Sequence, residues 1–216
     1  MRRTPYTLPL VHETYEALFA HYGEQHWWPS KSGAPWEIVA GAVLTQNCAW
    51  RNVEKALGNL SALGAATPRR LLALPPEALR EAIRPAGFFT QKSAYLQNAA
   101  RFFIAHAHGY SAPCPPAELR ARRARLLGVK GIGRETADSI LLYAFGHPVF
   151  VIDAYTRRVA ERHLGIPQAA ALPYDALQAL FTDNLPSDAR VYNEYHALIV
   201  RLCKELCRKR ACACFL

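Results

Sequence analysis

Between Leu126 and Gly146 the chain reads Leu-Leu-Gly-Val-Lys-Gly-Ile-Gly-Arg-Glu-Thr-Ala-Asp-Ser-Ile-Leu-Leu-Tyr-Ala-Phe-Gly, a stretch that leaves the backbone little choice. A basic segment with Arg120, Arg122, Arg123 and Arg125 runs into Gly128, Gly131 and Gly133. An apolar helix follows, with Ala137, Ile140, Leu141 and Ala144 along one side, so the pattern predicts helix, tight turn, helix. Two glycines at spacing two allow positive φ and leave amide N–H groups uncovered at the positive end of a helix dipole. Such an end binds phosphate. On the residues alone, Gly131-Ile-Gly133 suits a plain connector equally well.

Nearly every other segment also reads as helix, with proline and glycine as punctuation and no convincing strand alternation. Helical spacing covers residues 11–22, with Gly23 as the stop. A helix starts near Pro35-Trp36-Glu37 and continues through Leu44 into Thr45-Gln46-Asn47-Cys48-Ala49-Trp50, and another is marked by Val53, Ala56, Leu57 and Leu60. Short helices are expected at 68–72 and 75–83, then a turn over Arg84–Lys92 and a long helix from Ser93 to about His106. After the hairpin, Gly146-His-Pro148 ends the helix and the apolar run Val149-Phe-Val-Ile152 delivers Asp153 to the start of the next one. Residues 173–184 and 187–207 supply the last helices. His26-Trp27-Trp28-Pro29 falls in a loop, and two adjacent tryptophans cannot both face a core from one helix stripe. The expectation is an all-α protein of two lobes.

Lys+Arg minus Asp+Glu is 26 − 17 = +9, and the basic residues gather around 120–134 and 201–210. That balance points to a polyanion partner, though solvated charge alone also accounts for it. No apolar stretch reaches membrane-spanning length, and Met-Arg-Arg-Thr-Pro-Tyr at the start is not followed by a signal-peptide core. An intracellular, cytoplasmic protein is expected, in which six cysteines serve as thiols or metal ligands rather than disulfides.

The string Val129-Lys-Gly-Ile-Gly-Arg-Glu-Thr-Ala137 closely resembles the helix-hairpin-helix of DNA glycosylases of the endonuclease III superfamily. Four runs are similar to the 3-methyladenine DNA glycosylase III branch: Trp27–Pro29, Leu44–Trp50, Arg84–Lys92 and Lys130–Asp138. The resemblance spans nearly the whole chain. It implies a lobe of six helices over about 33–148 and a second lobe from 1–32 with 149–216, with a groove between them. It further implies a monomer acting on double-stranded DNA that contains a damaged base. Gly131, Gly133 and Arg134 would hold a phosphate without reading sequence, Gln46 would wedge into the space left by the displaced nucleotide, and Lys92 would be either a phosphate ligand near the DNA backbone or only a cation near the start of its helix.

Asp153 matches the superfamily's essential aspartate. As a plain helix N-cap it would accept backbone N–H bonds, and such bonds also keep a carboxylate ionised. An ionised carboxylate can stabilise the positive charge growing on a sugar and orient or deprotonate water. Strand-cutting relatives carry a lysine just before Thr136, whose amine forms a Schiff base. Here that residue is Glu135, which implies a monofunctional enzyme using water. An N-alkylated purine is cationic, so selection can rest on aromatic faces. Trp27, Trp28 and Trp50 would provide them, Glu135 would add negative charge at the back, and Lys204 is the nearest match to a pocket lysine of the branch. The alternatives are a bifunctional glycosylase/AP lyase acting on oxidised pyrimidines and a non-catalytic DNA-binding protein.

Cys203, Cys207, Cys212 and Cys214 crowd the end of the chain. Cys203 and Cys207 share a helix face at i,i+4, while Cys212-Ala-Cys214 lies in a tail able to fold back. The superfamily often binds a [4Fe-4S] cluster here through Cys-x6-Cys-x2-Cys-x5-Cys. This chain has x3, x4 and x1 instead. A rearranged cluster, a zinc site with four cysteine ligands and free thiols all remain open.

Overall fold

The computed structural model describes residues 9–208 and 210–216. The initial Met-Arg-Arg-Thr-Pro-Tyr and Lys209 lie outside the described residues. Among these the regular elements are all helical, with one isolated bridge between Cys207 and Cys212. No described helix is long and apolar enough to cross a membrane. Among the described residues two compact units form, one from Trp28–His147 and the other from the chain before Trp28 with Pro148–Leu216.

The first unit contains α2 (Pro35–Leu44), α3 (Trp50–Ala62), α4 (Pro68–Leu72), α5 (Pro76–Ile83), α6 (Phe89–His106), α7 (Pro116–Leu127) and α8 (Arg134–Ser139). Proline at the first helical position starts α2, α4, α5 and α7, where its missing N–H costs nothing. From Ile38 to Leu44, α2 is buried on every side, packed against α3, α6 and the wide π-turn Ile140–Ala144 that prolongs α8. A helix apolar all round belongs at the centre of its unit. The expected run of helix into Trp50 is broken: α2 stops at Leu44, Asn47 takes a left-handed conformation at φ 49°, and Trp50 opens α3. The long helix begins earlier than expected, at Phe89, so Lys92 lies inside its first turn.

The second unit contains α1 (Pro9–Tyr22), α9 (Ala154–Arg162), α10 (Tyr174–Thr182) and α11 (Ala189–Glu205). Gly23 ends α1 at φ +67°, and α11 packs on both α1 and α9. The core is aromatic: Phe150 stacks on Phe181 at 4.4 Å, and Tyr192 and Tyr195 meet Phe150 edge-on. The segment Val149–Ile152 is buried but not helical, so its backbone needs other partners. Side chains of α10 supply two of them, Gln178 Nε2 donating to Phe150 O (2.6 Å) and Tyr174 Oη accepting from Ile152 N (3.1 Å). These bonds fix the approach of the chain to Asp153.

Candidate functional site

Within the Trp28–His147 unit the hairpin is a corner between α7 and α8. Asp138, fully buried, receives a two-pronged ion pair from Arg123, with Nε and Nη2 at 2.6 and 2.9 Å from its carboxylate oxygens. This clamps one helix to the other. Only Gly131 uses the left-handed freedom expected of both glycines, with φ +101°. Gly133 caps α8 in an extended conformation, and a Cβ there would meet nothing within 4 Å. Without a side chain it puts no cap of its own on the first turn of α8, whose leading amides have no intrahelical partner. Arg134 and Glu135 are exposed on the same turn. The corner can take an anion through backbone N–H groups.

Three arginines of the basic run leading to the corner also serve the fold. Arg122 is buried and donates to Tyr110 O and Ala112 O at 3.3 and 2.7 Å, Arg123 is held by Asp138, and Arg125 pairs with Glu118 at 2.7 Å. Gln46 lies against the corner, its Nε2 donating to Gly131 O (2.9 Å) and Thr136 Oγ1 (3.0 Å). To wedge into DNA its amide must give up those bonds.

Of the two readings of Lys92, the structure removes the phosphate ligand. A phosphate ligand near the DNA backbone must reach solvent, whereas Lys92 is 2% exposed and its Nζ donates to Leu44 O and Ala86 O, both at 2.8 Å. Leu44 is the last residue of α2, so the ammonium satisfies a carbonyl that the helix end leaves open. Burial lowers its pKa. Lys92→Ala is expected to lower stability by about 2–4 kcal/mol through two unmet buried carbonyls. The salt dependence of DNA binding should stay unchanged, whereas loss of a phosphate contact would reduce the slope of log K against log salt by about 1.

The tryptophans part at the Trp27–Trp28 peptide. Trp28 packs over Gly41, meets Trp50 edge-on at 5.0 Å and lies 5.1 Å from Tyr143 in the π-turn. Trp50 stands at the start of α3 beside a cavity that Pro29, Trp36 and Glu37 also line. Trp27 belongs to the other unit, where Lys204 Nζ sits 6.0 Å from its ring centroid.

In that second unit Asp153 is the N-cap of α9. Its Oδ1 accepts from Thr156 N at 2.7 Å and Thr156 Oγ1 at 3.0 Å, and its Oδ2 lies 3.6 Å from His196 Nε2. The side chain is 15% exposed, so the carboxylate is neither sealed in nor freely solvated. Burial alone would raise its pKa, but His196 and the Thr156 donors outweigh it and hold the carboxyl below the usual aspartate value. Such a group is an anion at neutral pH that can face a developing cation or accept a proton from water. His196 went unassigned in the sequence because it is 43 positions from Asp153 in the chain, and only the packing of α11 on α9 joins them.

Past α11 the chain turns back. Cys207 pairs with Cys212 through the isolated bridge, and Ala213 N donates to Leu206 O at 3.1 Å. The ligand atoms of His163, Cys207, Cys212 and Cys214 come within 4.8 Å of one another, a set able to hold a metal ion. The expected set of Cys203, Cys207, Cys212 and Cys214 is thereby changed. Cys203 Sγ faces Tyr155 O at 3.8 Å, burial pushes its thiol up to about 12, and His163, just past the end of α9, joins instead. No cysteine spacing could have revealed a histidine 44 positions before Cys207.

Residues 40–182 match the family model described as HhH-GPD superfamily base excision DNA repair protein. A Methanocaldococcus jannaschii protein provisionally named a DNA repair glycosylase is 41% identical over 203 residues, 94% of this chain and 90% of its own. Among solved structures, the 3-methyladenine DNA glycosylase of H. pylori bound to 1,N6-ethenoadenine superposes with a TM-score of 0.74 at 27% identity, covering 90% of this chain and 97% of that one. An endonuclease III trapped as a covalent intermediate with DNA gives 0.80 at 21% identity, covering 97% and 93%, and shares the fold.

Proposed function

Because the chain belongs to the HhH-GPD superfamily of base excision DNA repair proteins, we propose that it is a monofunctional DNA glycosylase, one that uses water to release an alkylated purine such as 3-methyladenine. DNA N-glycosylase activity comes with the family. The observation that carries it is Glu135, a carboxylate at the position where strand-cutting relatives need an amine. In the proposed route the bond between the sugar's anomeric carbon and the base nitrogen breaks, its electron pair leaves with the base, and a cationic N-alkylated purine departs neutral. The sugar is left positive. Asp153 faces that charge and orients the incoming water, whose oxygen bonds to the anomeric carbon as Asp153 takes its proton.

The uncovered first turn of α8, with Gly131, Gly133 and Arg134, is assigned the DNA phosphate, and Gln46 the space the base vacates. Trp28 and Trp50, already in edge-on contact, offer apolar, electron-rich rings suited to an electron-poor base. Trp27 with Lys204 and the carboxylate of Glu135 are assigned to base selection as well. The similarity to the H. pylori enzyme bound to an etheno-modified adenine favours purines over pyrimidines.

Base release from duplexes carrying methylated purines, oxidised pyrimidines and mismatched thymine tests the choice of base. The methylated purines should be released fastest. Borohydride added during turnover tests the route: no DNA-linked protein should accumulate. A covalent adduct would remove the water-dependent mechanism, and preferred release of an oxidised pyrimidine would remove the assignment of substrate.

A further inference from the structure

The superfamily's [4Fe-4S] cluster does not suit the ligand atoms this chain presents. A cubane cluster carries its four thiolates on four different irons, on the outside of a body of eight atoms, so those sulfurs must stand well apart. Here the four donor atoms lie within 4.8 Å of one another, and one of them is an imidazole nitrogen. We infer that His163, Cys207, Cys212 and Cys214 form a mononuclear zinc site of three thiolates and one imidazole, which ties the folded-back tail to the end of α9.

The distances carry the argument. Zinc bonds of about 2.3 Å to sulfur and 2.0 Å to nitrogen set tetrahedral ligand edges of about 3.5 Å for N···S and 3.8 Å for S···S. His163 Nε2 lies 3.5 Å from Cys207 Sγ, 3.6 Å from Cys212 Sγ and 3.3 Å from Cys214 Sγ. Three of the six edges thus already have the length required for one ion. Cys212 and Cys214 Sγ are closer, at 2.8 Å, and open by about 1 Å when the ion separates them. Three thiolates and a neutral imidazole leave a zinc complex one unit negative. Arg162 answers that charge, with Nη1 3.5 Å from Cys207 Sγ and 2.9 Å from Arg208 O, and Arg158 Nη1 holds Cys207 O at 3.0 Å. The site is structural. All four positions are filled by protein, so no coordination site is left for water or substrate.

The consequence for α9 is mechanical. Asp153 starts this helix, and His163 lies just beyond its other end, so the ion would fix the far end of the helix that presents the carboxylate.

Metal analysis of the full chain, purified under reducing conditions, is expected to give one zinc per chain, no iron and a colourless protein. Cobalt exchanged for the zinc should show the visible bands of a tetrahedral thiolate-rich ion. His163→Ala should lose the metal and His163→Cys retain it, while Cys203→Ala should keep one zinc per chain. Removing the ion with a strong chelator should lower Tm by about 5–10 °C and expose the last ten residues to protease. Iron at several atoms per chain with a brown colour would overturn the inference. So would metal-free protein, or loss of the metal in Cys203→Ala with retention in His163→Ala.

Discussion

Asp153→Asn is expected to reduce base release at least 100-fold while leaving the protein folded, a loss within the range of a general acid or base. Asparagine caps helices as well as aspartate does, and its Oδ1 can keep both bonds from Thr156. What disappears is the negative charge. Single-turnover release, Tm and affinity for abasic DNA should be measured together, with the last two nearly unchanged. Release within tenfold of wild type would take Asp153 out of the chemistry. The wild-type pH profile gives an independent reading. The folded pKa lies below the ordinary aspartate value because His196 and Thr156 outweigh burial. The rate should therefore hold as pH falls through the usual aspartate range and drop only below it. By the same sign, the stability this group contributes is present above its unfolded pKa and is lost as pH falls through the folded one.

Gly131→Ala should strongly destabilise the hairpin. At φ +101° a side chain is strained, and the added Cβ would lie 2.2 Å from Tyr95 Cγ, 2.3 Å from Cδ1 and 2.7 Å from Cβ. Contact with Tyr95 Cβ means that rotating the ring does not relieve the clash; α6 or the turn must move. Strain and overpacking together cost roughly 3–5 kcal/mol, to be read from urea unfolding. Gly133→Ala is the control. With φ −88° and an open Cβ site, it should change stability by less than about 1 kcal/mol. It places a methyl group on the turn assigned to the phosphate, so its DNA affinity should fall without loss of fold. If Gly133→Ala binds DNA as wild type does, the phosphate does not sit on that turn.

Much of the architecture follows from local chemistry. Pro35, Pro68 and Pro116 open helices because a ring without N–H loses nothing at a first turn, and Gly23 and Gly146 close them at positive φ. The Gly131 corner is likewise local, since its φ is open to few other residues. Asp153 at the start of α9 could be read in the same way, as an acidic cap following a buried apolar run.

The partners of polar side chains were not local. Arg122, Arg123 and Lys92 read as charge facing a polyanion, water or a helix end, yet a buried aspartate and open carbonyls hold them within the fold. His196 reaches Asp153, and His163 reaches three cysteines, across more than forty positions. Sequence by itself determined most of the segments that become helices, though not where α2 stops or α6 starts, and which residue types could do chemistry, because those depend on backbone torsion and neighbours one turn away. Only the tertiary structure decided which charges face water and which donors converge, because a cation or a thiol takes whichever partner packing brings within about 3 Å.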